Sequence, residues 1–275
     1  MILIAIATIS TNSGRCRMYT KEELKSQLQT IGIKPCDTLL VHASVKAVGP
    51  VQGGADTVLD ALSEFMAPGL LVLPTHTWDQ MNNPDYVFDV VQQPSCVGIL
   101  TDLFRQRPGV VRSWHPTHSI AALGADAADF ASGEERLETP CAREGCWGKL
   151  YDRGAKVLFL GVDLSRNTLI HAVEEWAQVP RRLNPDYRLF KIRTPDGRLL
   201  DRPMRGHKAP IRNISANYVK LTTPLLKRGI AVQGTIGDAK SILVDVVPMV
   251  DLTMEFLQRN PDLFLDREPV PKEWY

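Results

Sequence analysis

A histidine and a glutamate stand three positions apart in the chain, as His171 and Glu174. They lie in residues 167–178, which are predicted to be helical, so the i,i+3 spacing places both side chains on one face. A carboxylate beside an imidazole fixes its tautomer and raises its basicity, which suits a general base working near neutral pH. The alternative is a surface helix on which the two meet by chance, but the first half of this segment is largely apolar.

A second group of reactive side chains occupies residues 112–119, with the sequence RSWHPTHS. The proline predicts a shaped turn, and the apolar residues 120–124 that follow predict a strand. Hydroxyls, imidazoles and backbone N–H groups in such a turn can bind a ligand or take part in catalysis. Two alternatives stay open. One is a purely structural turn, and the other is a metal site at His115 and His118, which lacks a third ligand at a fixed spacing.

The third group is HASVKAVG, residues 42–49, directly after a predicted strand. A polar loop in front of Gly53, Gly54 and a predicted helix offers backbone N–H groups and the Lys46 ammonium to phosphate oxygens. The chain contains neither a P-loop motif nor a GxGxxG motif. An ordinary strand-to-helix connection is therefore the alternative to a phosphate-binding loop.

Other candidate groups carry weaker signals. The chain has no GxSxG motif, which argues against a serine hydrolase of the common α/β type. Cys141 and Cys146 lie in a predicted loop, and nothing marks either as a nucleophile. Asp152 precedes a predicted strand, where an acidic residue is more often part of a turn.

Apolar patterns predict the elements that position these groups. Short apolar runs predict strands at 38–42, 69–74 and 156–161, with later strands at 230–236 and 242–247. Helical spacing predicts helices at 22–31, 55–66, 97–105, 167–178 and 250–259. Strands that alternate with helices predict an α/β fold, a single three-layer domain with a mixed central sheet flanked by helices. The polar stretches 75–94 and 183–212 are predicted as loops, with a hairpin turn at 195–197.

The composition excludes several classes of protein. The 275 residues carry 32 Lys and Arg against 31 Asp and Glu, and 44% are hydrophobic, the balance of an ordinary globular protein. A formal charge of +1 argues against nucleic-acid binding, which usually needs a basic excess. No apolar run approaches the roughly 20 residues that cross a bilayer. Five cysteines without CxxC pairs fit neither a zinc knuckle nor a disulfide framework.

The first residues call for a separate interpretation. We interpret 1–17 as a disordered upstream extension, because its basic residues follow the apolar run instead of preceding it as in a signal peptide. Met18 is then the start of a domain that spans 18–275. Thr20 and Glu23 support this start, since they form a capping-box pattern that opens a helix. We expect the protein in the cytoplasm.

The three groups, in this order, resemble the aminoglycoside 3-N-acetyltransferases of the antibiotic N-acetyltransferase family. The matching stretches are VHASVKAVGPVQGGADTVLDAL (41–62), RSWHPTHSIAALG (112–124) and TPCAREGCWGKLYDRGAKVLFLGVDLSRNTLIHAVEEWAQVP (139–180). The resemblance runs from about residue 20 to the end of the chain. It implies acetyl transfer from acetyl-CoA to the 3-amino group of a 2-deoxystreptamine aminoglycoside, hence antibiotic resistance.

The resemblance also implies a role for individual residues. By position, His171 is the general base and Glu174 orients it, while Asp152 assists and His115 lines the acyl site. The binding of acetyl-CoA is assigned to the first two groups, at Ser44, Val45, Lys46, Arg112, Ser113 and Ser119. Direct transfer within a ternary complex needs no enzyme nucleophile and no metal.

A polycationic acceptor calls for carboxylates around its amines. We expect them at Asp79, Asp85, Asp89 and Glu175. The arginine-rich stretch 183–212 suits a polycation poorly, so an acetyltransferase of another amine is an alternative, as is a CoA-binding protein without catalysis. A metal-dependent hydrolase using His115 and His118 is a further alternative. We expect no nucleic-acid or membrane partner, and a monomer or homodimer.

Overall fold

The computed structural model describes residues 17–275, which form ten strands and eight α-helices. The strands are β1 (Thr38–Ala43), β2 (Leu70–Pro74), β3 (Val87–Asp89), β4 (Val111–Arg112), β5 (Ile120–Gly124), β6 (Lys156–Leu160), β7 (Arg188–Arg193), β8 (Leu199–Met204), β9 (Ala231–Ile236) and β10 (Ala239–Asp245). The α-helices are α1 (Lys21–Thr30), α2 (Gly54–Phe65), α3 (Ile99–Phe104), α4 (Ala127–Ala131), α5 (Cys146–Asp152), α6 (Thr168–Trp176), α7 (Thr222–Lys227) and α8 (Val246–Arg259).

Seven of the strands form one mixed sheet, in the order β4-β5-β2-β1-β6-β10-β9. The central strands β2, β1 and β6 are parallel to one another, whereas β5 and β10 run antiparallel at either side of them. The strands β1 and β2 are apolar along almost their whole length, as expected of parallel strands covered on both faces. The predicted mixed sheet is confirmed.

The two faces of this sheet pack against different helices. Along β1, Leu39 and Val41 point into a core that also contains the apolar side chains of α1, α2 and α3. Leu40, between them, points into the core on the opposite face, which contains apolar side chains of the five helices α4, α5, α6, α7 and α8. This alternation makes three layers, helix on sheet on helix, so the predicted α/β architecture is confirmed.

A second, three-stranded sheet forms in the two stretches that were predicted to be loops. In it, β3 lies parallel to β7, which pairs antiparallel with β8 through a turn at 194–198. The expected hairpin turn is confirmed, but the loop prediction for 183–212 is wrong. Side chains along β7 alternate between exposed and buried, with Phe190 and Ile192 pointing inward, and this period of two is the signature of a strand. Their core also contains Phe88 of β3.

The groups expected to carry chemistry meet at one edge of the main sheet. The last residues of β1 and β6 pair with each other, Ala43 with Leu160, and the last residue of β2 pairs with the first of β5, Pro74 with Ile120. The loops after β1, β2 and β6 and the turn before β5 therefore open on the same side. Ligand sites in sheets of this kind lie at the carboxyl ends of the parallel strands.

The N-terminus of the described chain is fixed by the expected cap. The Thr20 hydroxyl accepts from the Glu23 N–H, and the Glu23 carboxylate accepts in return from the Thr20 N–H. Arg17 forms an ion pair with the same carboxylate. Residues 1–16 of the proposed extension lie outside the described residues. Between 17 and 275, no helix combines the length and apolarity that crossing a membrane requires.

The small sheet provides a test of its core. Phe88→Ala should lower the free energy of unfolding by about 3–5 kcal/mol, because it leaves a cavity where a fully buried ring had packed. Leu189→Ala in the same sheet should change it by less than about 0.5 kcal/mol, since Leu189 is 56% exposed. Urea unfolding of both variants measures the difference. Equal losses would show that the two faces of this sheet are not distinct.

Candidate active site

The helix α6 places His171 and Glu174 at the edge of the main sheet. It begins directly after β6 and a single 3-10 turn, Leu164–Arg166. The Asn167 side chain caps it by accepting from the Leu169 N–H at 3.2 Å, a favourable start for a helix. One turn into the helix, the Nδ1 of His171 lies 3.5 Å from the Oε2 of Glu174. The expected placement of both side chains on one face is confirmed.

A tyrosine hydroxyl links the imidazole to the carboxylate. The Oη of Tyr218 lies 2.6 Å from the Nδ1 of His171 and 2.7 Å from the Oε2 of Glu174. Burial and the adjacent Glu174 carboxylate raise the pKa of Tyr218 well above its ordinary value, so the phenol keeps its single proton. A carboxylate only accepts hydrogen bonds, so this proton points to Glu174, and the phenol oxygen accepts from Nδ1–H. The Nε2 of His171 is then left with its lone pair.

Glu174 is almost fully buried and ionised. Arg182, itself buried, donates from Nε to its Oε1 at 2.8 Å. Burial alone would raise the pKa of Glu174, but the nearby His171 imidazole and the bonded Arg182 guanidinium outweigh burial and hold that pKa below its ordinary value. The two terminal NH groups of Arg182 are buried without a partner among the described residues.

The imidazole of His171 is uncharged but reachable. Burial lowers its pKa below the ordinary value of a histidine, and the nearby Glu174 carboxylate partly opposes this shift. About a quarter of its side chain is exposed. A neutral imidazole that solvent reaches, with Nδ1 occupied and Nε2 free, has the features of a general base.

A second histidine–glutamate pair lies beside the first. The Nε2 of His207 is 3.2 Å from the Oε2 of Glu175, which follows Glu174 in α6. Glu175 also accepts from the Thr139 hydroxyl and from the Cys141 N–H. The rings of His207 and His171 are stacked, with centroids 5.0 Å apart and planes 28° from parallel.

The turn before β5 extends this arrangement into the protein. The rings of His118 and His207 lie edge-on, with centroids 5.1 Å apart. The His118 centroid is 4.8 Å from that of His76, which follows β2. His115 shapes the turn, because its Nδ1 accepts from the N–H groups of Thr117 and His118 while Nε2 donates to the Thr139 carbonyl. Burial lowers the pKa of His115 to about 4. Among residues 17–275, no set of three or more His, Cys, Asp or Glu side chains is arranged to hold a metal ion.

Three of the side chains expected to bind acetyl-CoA are engaged within the fold. The buried Arg112 guanidinium donates to the carbonyls of Thr75 and Gln93 at 2.8 and 2.6 Å and packs over the ring of Phe88. It therefore joins the main sheet to the small one. Ser119 donates to the Thr75 carbonyl, and the Ser113 hydroxyl accepts from a backbone N–H of β5.

The other three expected acetyl-CoA residues have a different setting. Ser44, Val45 and Lys46 begin the 3-10 turn Val45–Val48 after β1, and the Ser44 N–H is bonded to the last residue of β6. Lys46 is exposed. This turn thus lies beside the loop that leads into α6, with an ammonium group facing solvent.

The remaining predicted site residues are not drawn into the His171 pair. Asp152 forms a bidentate ion pair with Arg143. Asp89 accepts from two N–H groups in the turn that follows β3, and Asp79 and Asp85 lie on the exposed segment before it. Of the predicted substrate carboxylates, Glu175 is the one joined to this group of side chains, through His207, whose ring stacks on His171.

A cavity of about 640 Å³ adjoins the carboxylate side of this site. It lies along the second half of α6 and is bordered by Glu174, Glu175 and Trp176. Its charged lining is otherwise one glutamate and four arginines: Glu144, Arg143, Arg181, Arg182 and Arg205. A ligand in this cavity would meet more guanidinium groups than carboxylates.

A family model for aminoglycoside 3-N-acetyltransferases matches residues 40–258. The chain belongs to this family. It is therefore an acyltransferase, and the resemblance carried by the three sequence groups is confirmed.

Individual members of the family match most of the chain. Aminoglycoside N(3)-acetyltransferase III of Serratia marcescens is 27% identical over 274 residues, which cover 88% of this chain and 98% of the relative. The solved aminoglycoside acetyltransferase AAC(3)-IVa, as a histidine-to-alanine mutant in complex with a gentamicin, has a TM-score of 0.79 and 27% identity, covering 94% and 93% of the two chains. The complex of AAC-IIIb with CoASH has a TM-score of 0.77 and 25% identity, covering 93% and 100%.

Three residues that complete the site were not predicted from the sequence: Tyr218, Arg182 and His207. Tyr218 lies in a 3-10 helix, Ile214–Leu221, without a local motif. His207 comes from the stretch predicted to be a loop, and Arg182 directly precedes that stretch. A buried Glu174 was the available signal, because an ionised carboxylate in an apolar helix requires partners from elsewhere in the chain.

Buried histidines predict a specific sensitivity of the acetyltransferase to acid. Burial lowers the pKa of His42 to about 3 and of His115 to about 4, and also lowers the pKa of His76, His118 and His171. In the unfolded chain each has an ordinary pKa of about 6.5, so unfolding takes up protons below that pH. The free energy of unfolding should be highest above pH 6.5. It should decrease as the pH falls below 6.5, by up to about 1.4 kcal/mol per pH unit for each histidine.

One carboxyl acts in the opposite direction. Burial raises the pKa of Glu134 to about 7, so this group favours folding more as the pH falls from 7 towards its ordinary value. Five histidines outweigh it. Urea unfolding at pH 7.5, 6.5 and 5.5 measures the slope, and Glu134→Gln should make it steeper. A free energy that stays constant over this range would mean that the histidines are charged in the folded protein.

Proposed function

We propose that this acyltransferase moves an acetyl group from acetyl-CoA to an amine, in direct transfer within a ternary complex with His171 as general base. The observation that carries the proposal is the hydrogen-bonded chain from Nδ1 of His171 through Tyr218 to Glu174. It leaves Nε2 with a lone pair on an imidazole that is uncharged and partly exposed.

Each residue of this chain has a task in the transfer. An acceptor ammonium must lose a proton before its nitrogen attacks a thioester, and Nε2 of His171 takes that proton. The imidazolium formed in this way keeps its Nδ1–H bond to Tyr218. Glu174, ionised and 3.5 Å away, stabilises the new positive charge.

The structure of the relative with CoASH supports the donor in this proposal. Acetyl-CoA supplies the activated acyl group as a thioester. The turn at Ser44, Val45 and Lys46 fits its phosphates, because it presents an exposed ammonium at the same sheet edge as His171. We place the coenzyme contacts there, since the side chains of Arg112, Ser113 and Ser119 already have partners in the fold.

The acceptor in the leading proposal is the 3-amino group of a 2-deoxystreptamine aminoglycoside, with resistance to the antibiotic as the result. The relative solved with a gentamicin supports this choice. The exposed Asp79 and Asp85, the half-buried Asp89, and Glu175 beside His207 are the carboxylates that we assign to the cationic acceptor.

The arginines of the neighbouring cavity favour a second candidate acceptor. Arg143 and Arg181 on its border are paired with Asp152 and Asp262, but Arg182 and Arg205 have buried NH groups without a partner among residues 17–275. These two guanidinium groups suit an amine that also carries a carboxylate or phosphate. The chemistry at His171 is the same for both acceptors.

CoA release from acetyl-CoA decides between these candidates. We would offer a panel of aminoglycosides and, in parallel, amines that carry carboxylate or phosphate groups. Release with the first panel supports the leading proposal, and release only with the second supports the alternative. His171→Ala should abolish the amine-dependent release, by at least about 100-fold, because it removes the lone pair that takes the proton. Release that survives this substitution in a folded protein would move the base elsewhere.

The substitution Tyr218→Phe tests the hydrogen-bonded chain, because it removes only the hydroxyl group that joins His171 to Glu174. It removes the partner of Nδ1, so the imidazole loses its fixed tautomer, and kcat should fall by about 10–100-fold with little change in KM. Tyr19→Phe is the matched control, since its hydroxyl also donates to a carboxylate, that of Asp238, at 2.6 Å, and contacts neither His171 nor Glu174. Because the Asp238 N–H donates to the Val48 carbonyl of the proposed coenzyme turn, both variants are compared at saturating acetyl-CoA. Equal effects of the two substitutions on kcat would contradict a role of Tyr218 in the reaction.

A further inference from the structure

The second histidine–glutamate pair is held as firmly as the first. The Nε2 of His207 is hydrogen-bonded to Glu175. Glu175 is kept in place by Thr139 and by the Cys141 N–H. Its side chain is only 8% exposed, so it cannot turn away to solvent without breaking these bonds. The direction of the His207 ring is therefore fixed by a carboxylate that belongs to the same helix as His171.

The backbone of His207 is clamped as well. It follows β8 and forms a bridge with Leu183. On either side of this bridge, the Asn184 N–H donates to the Gly206 carbonyl at 2.9 Å and the Lys208 N–H donates to the Arg182 carbonyl at 2.8 Å. The same backbone segment carries Arg182, which binds Glu174. Both pairs are thus joined through one short stretch of paired chain.

The His171 ring needs a second constraint besides Tyr218. One hydrogen bond at Nδ1 fixes a direction but leaves the ring free to tilt about it. The His207 ring covers one face of the His171 ring at 5.0 Å and 28°, and Tyr218 meets that ring edge-on at 5.0 Å. Stacking on the face removes the tilt that the hydrogen bond allows.

Several ionisable side chains surround the rings of His171 and His207. The titratable and charged groups around the two rings are Glu174 and Glu175 of α6, Arg182 on the clamped segment, and His115, His118 and His76 from the sheet edge. Burial keeps the three sheet-edge imidazoles uncharged near neutral pH.

We propose that His207, anchored by Glu175, is a positioning residue for the His171 base: it fixes the plane of that imidazole by stacking on its face. This inference rests on the proposed acetyl transfer for its consequence, but its geometry is independent of the identity of the acceptor. His207→Gln and His207→Ala separate the bond to Glu175 from the stacked ring. Glutamine retains a donor for Glu175 but lacks the ring, whereas alanine removes both the donor and the ring.

The first arm of the test needs no activity. Histidine labelled with ¹⁵N reports the tautomer and titration of each imidazole by NMR, and the spectrum of a His171→Gln variant identifies the His171 signals. In the wild type, His171 should be the Nδ1–H tautomer. In His207→Ala, the second tautomer should appear and the pKa of His171 should rise, because the ring gains contact with solvent. His207→Gln should keep the tautomer more fully than alanine does.

The second arm uses the amine found by the CoA-release assay. We expect kcat to fall by about 10–100-fold in His207→Ala with little change in KM, a smaller fall in His207→Gln, and partial recovery of the alanine variant with added imidazole. Thermal unfolding checks that each variant is folded. A residue with a merely structural role would change thermal stability without changing the His171 signals.

The two proposals fail in different ways. Unchanged tautomer and titration of His171 in both folded His207 variants would overturn the positioning role, whatever the activity. Absence of CoA release from the wild type with every amine would overturn the proposed function, while the NMR arm would still decide whether His207 positions His171.

Discussion

The buried charge of Glu174 is the constraint on which the rest of the site depends. Removing an ionised carboxylate from water costs several kcal/mol, and only close, well-directed partners offset that cost. Here the partners are His171, Tyr218 and Arg182. They come from three separate parts of the chain, so satisfying one charge forces α6, the 3-10 helix after the small sheet and the segment after α6 into fixed relative positions. The same bonds also set the tautomer of the base.

Around Glu174, the main sheet and the lining of the adjacent cavity come from different parts of the chain. The main sheet brings the loops after β1, β2 and β6 to one edge, and this arrangement follows from parallel strands with covered faces. The cavity beside α6 is lined instead by residues of the connecting segments, and its arginines are not required by the sheet. The lining of that cavity can therefore change without changing the sheet that positions His171 and Glu174.

The parts of the structure that local patterns encode were predictable. Apolar runs indicated the main strands, and the i,i+3 spacing placed His171 and Glu174 on one face. The small sheet was not predictable in the same way, because β3 has only three residues and its partner β7 lies far along the chain. Tyr218 and His207 reach the site through contacts between distant segments, which leave no spacing in the sequence. Arg112 shows the converse: its motif was visible, but its bonds to the Thr75 and Gln93 carbonyls were not.

The pairing of β3 with β7 has a consequence for biosynthesis. Val87 emerges from the ribosome long before Lys191, its partner, so β3 has no neighbouring strand, and the ring of Phe88 lacks Phe190 and Ile192, when five of the seven strands of the main sheet have already been made. The small sheet cannot form until β7 and β8 follow. Because Arg182, His207 and Tyr218 come later in the chain than these five strands, the hydrogen bonds around His171 and Glu174 are among the last to form, and a chain interrupted before residue 218 lacks the hydroxyl that joins the two side chains.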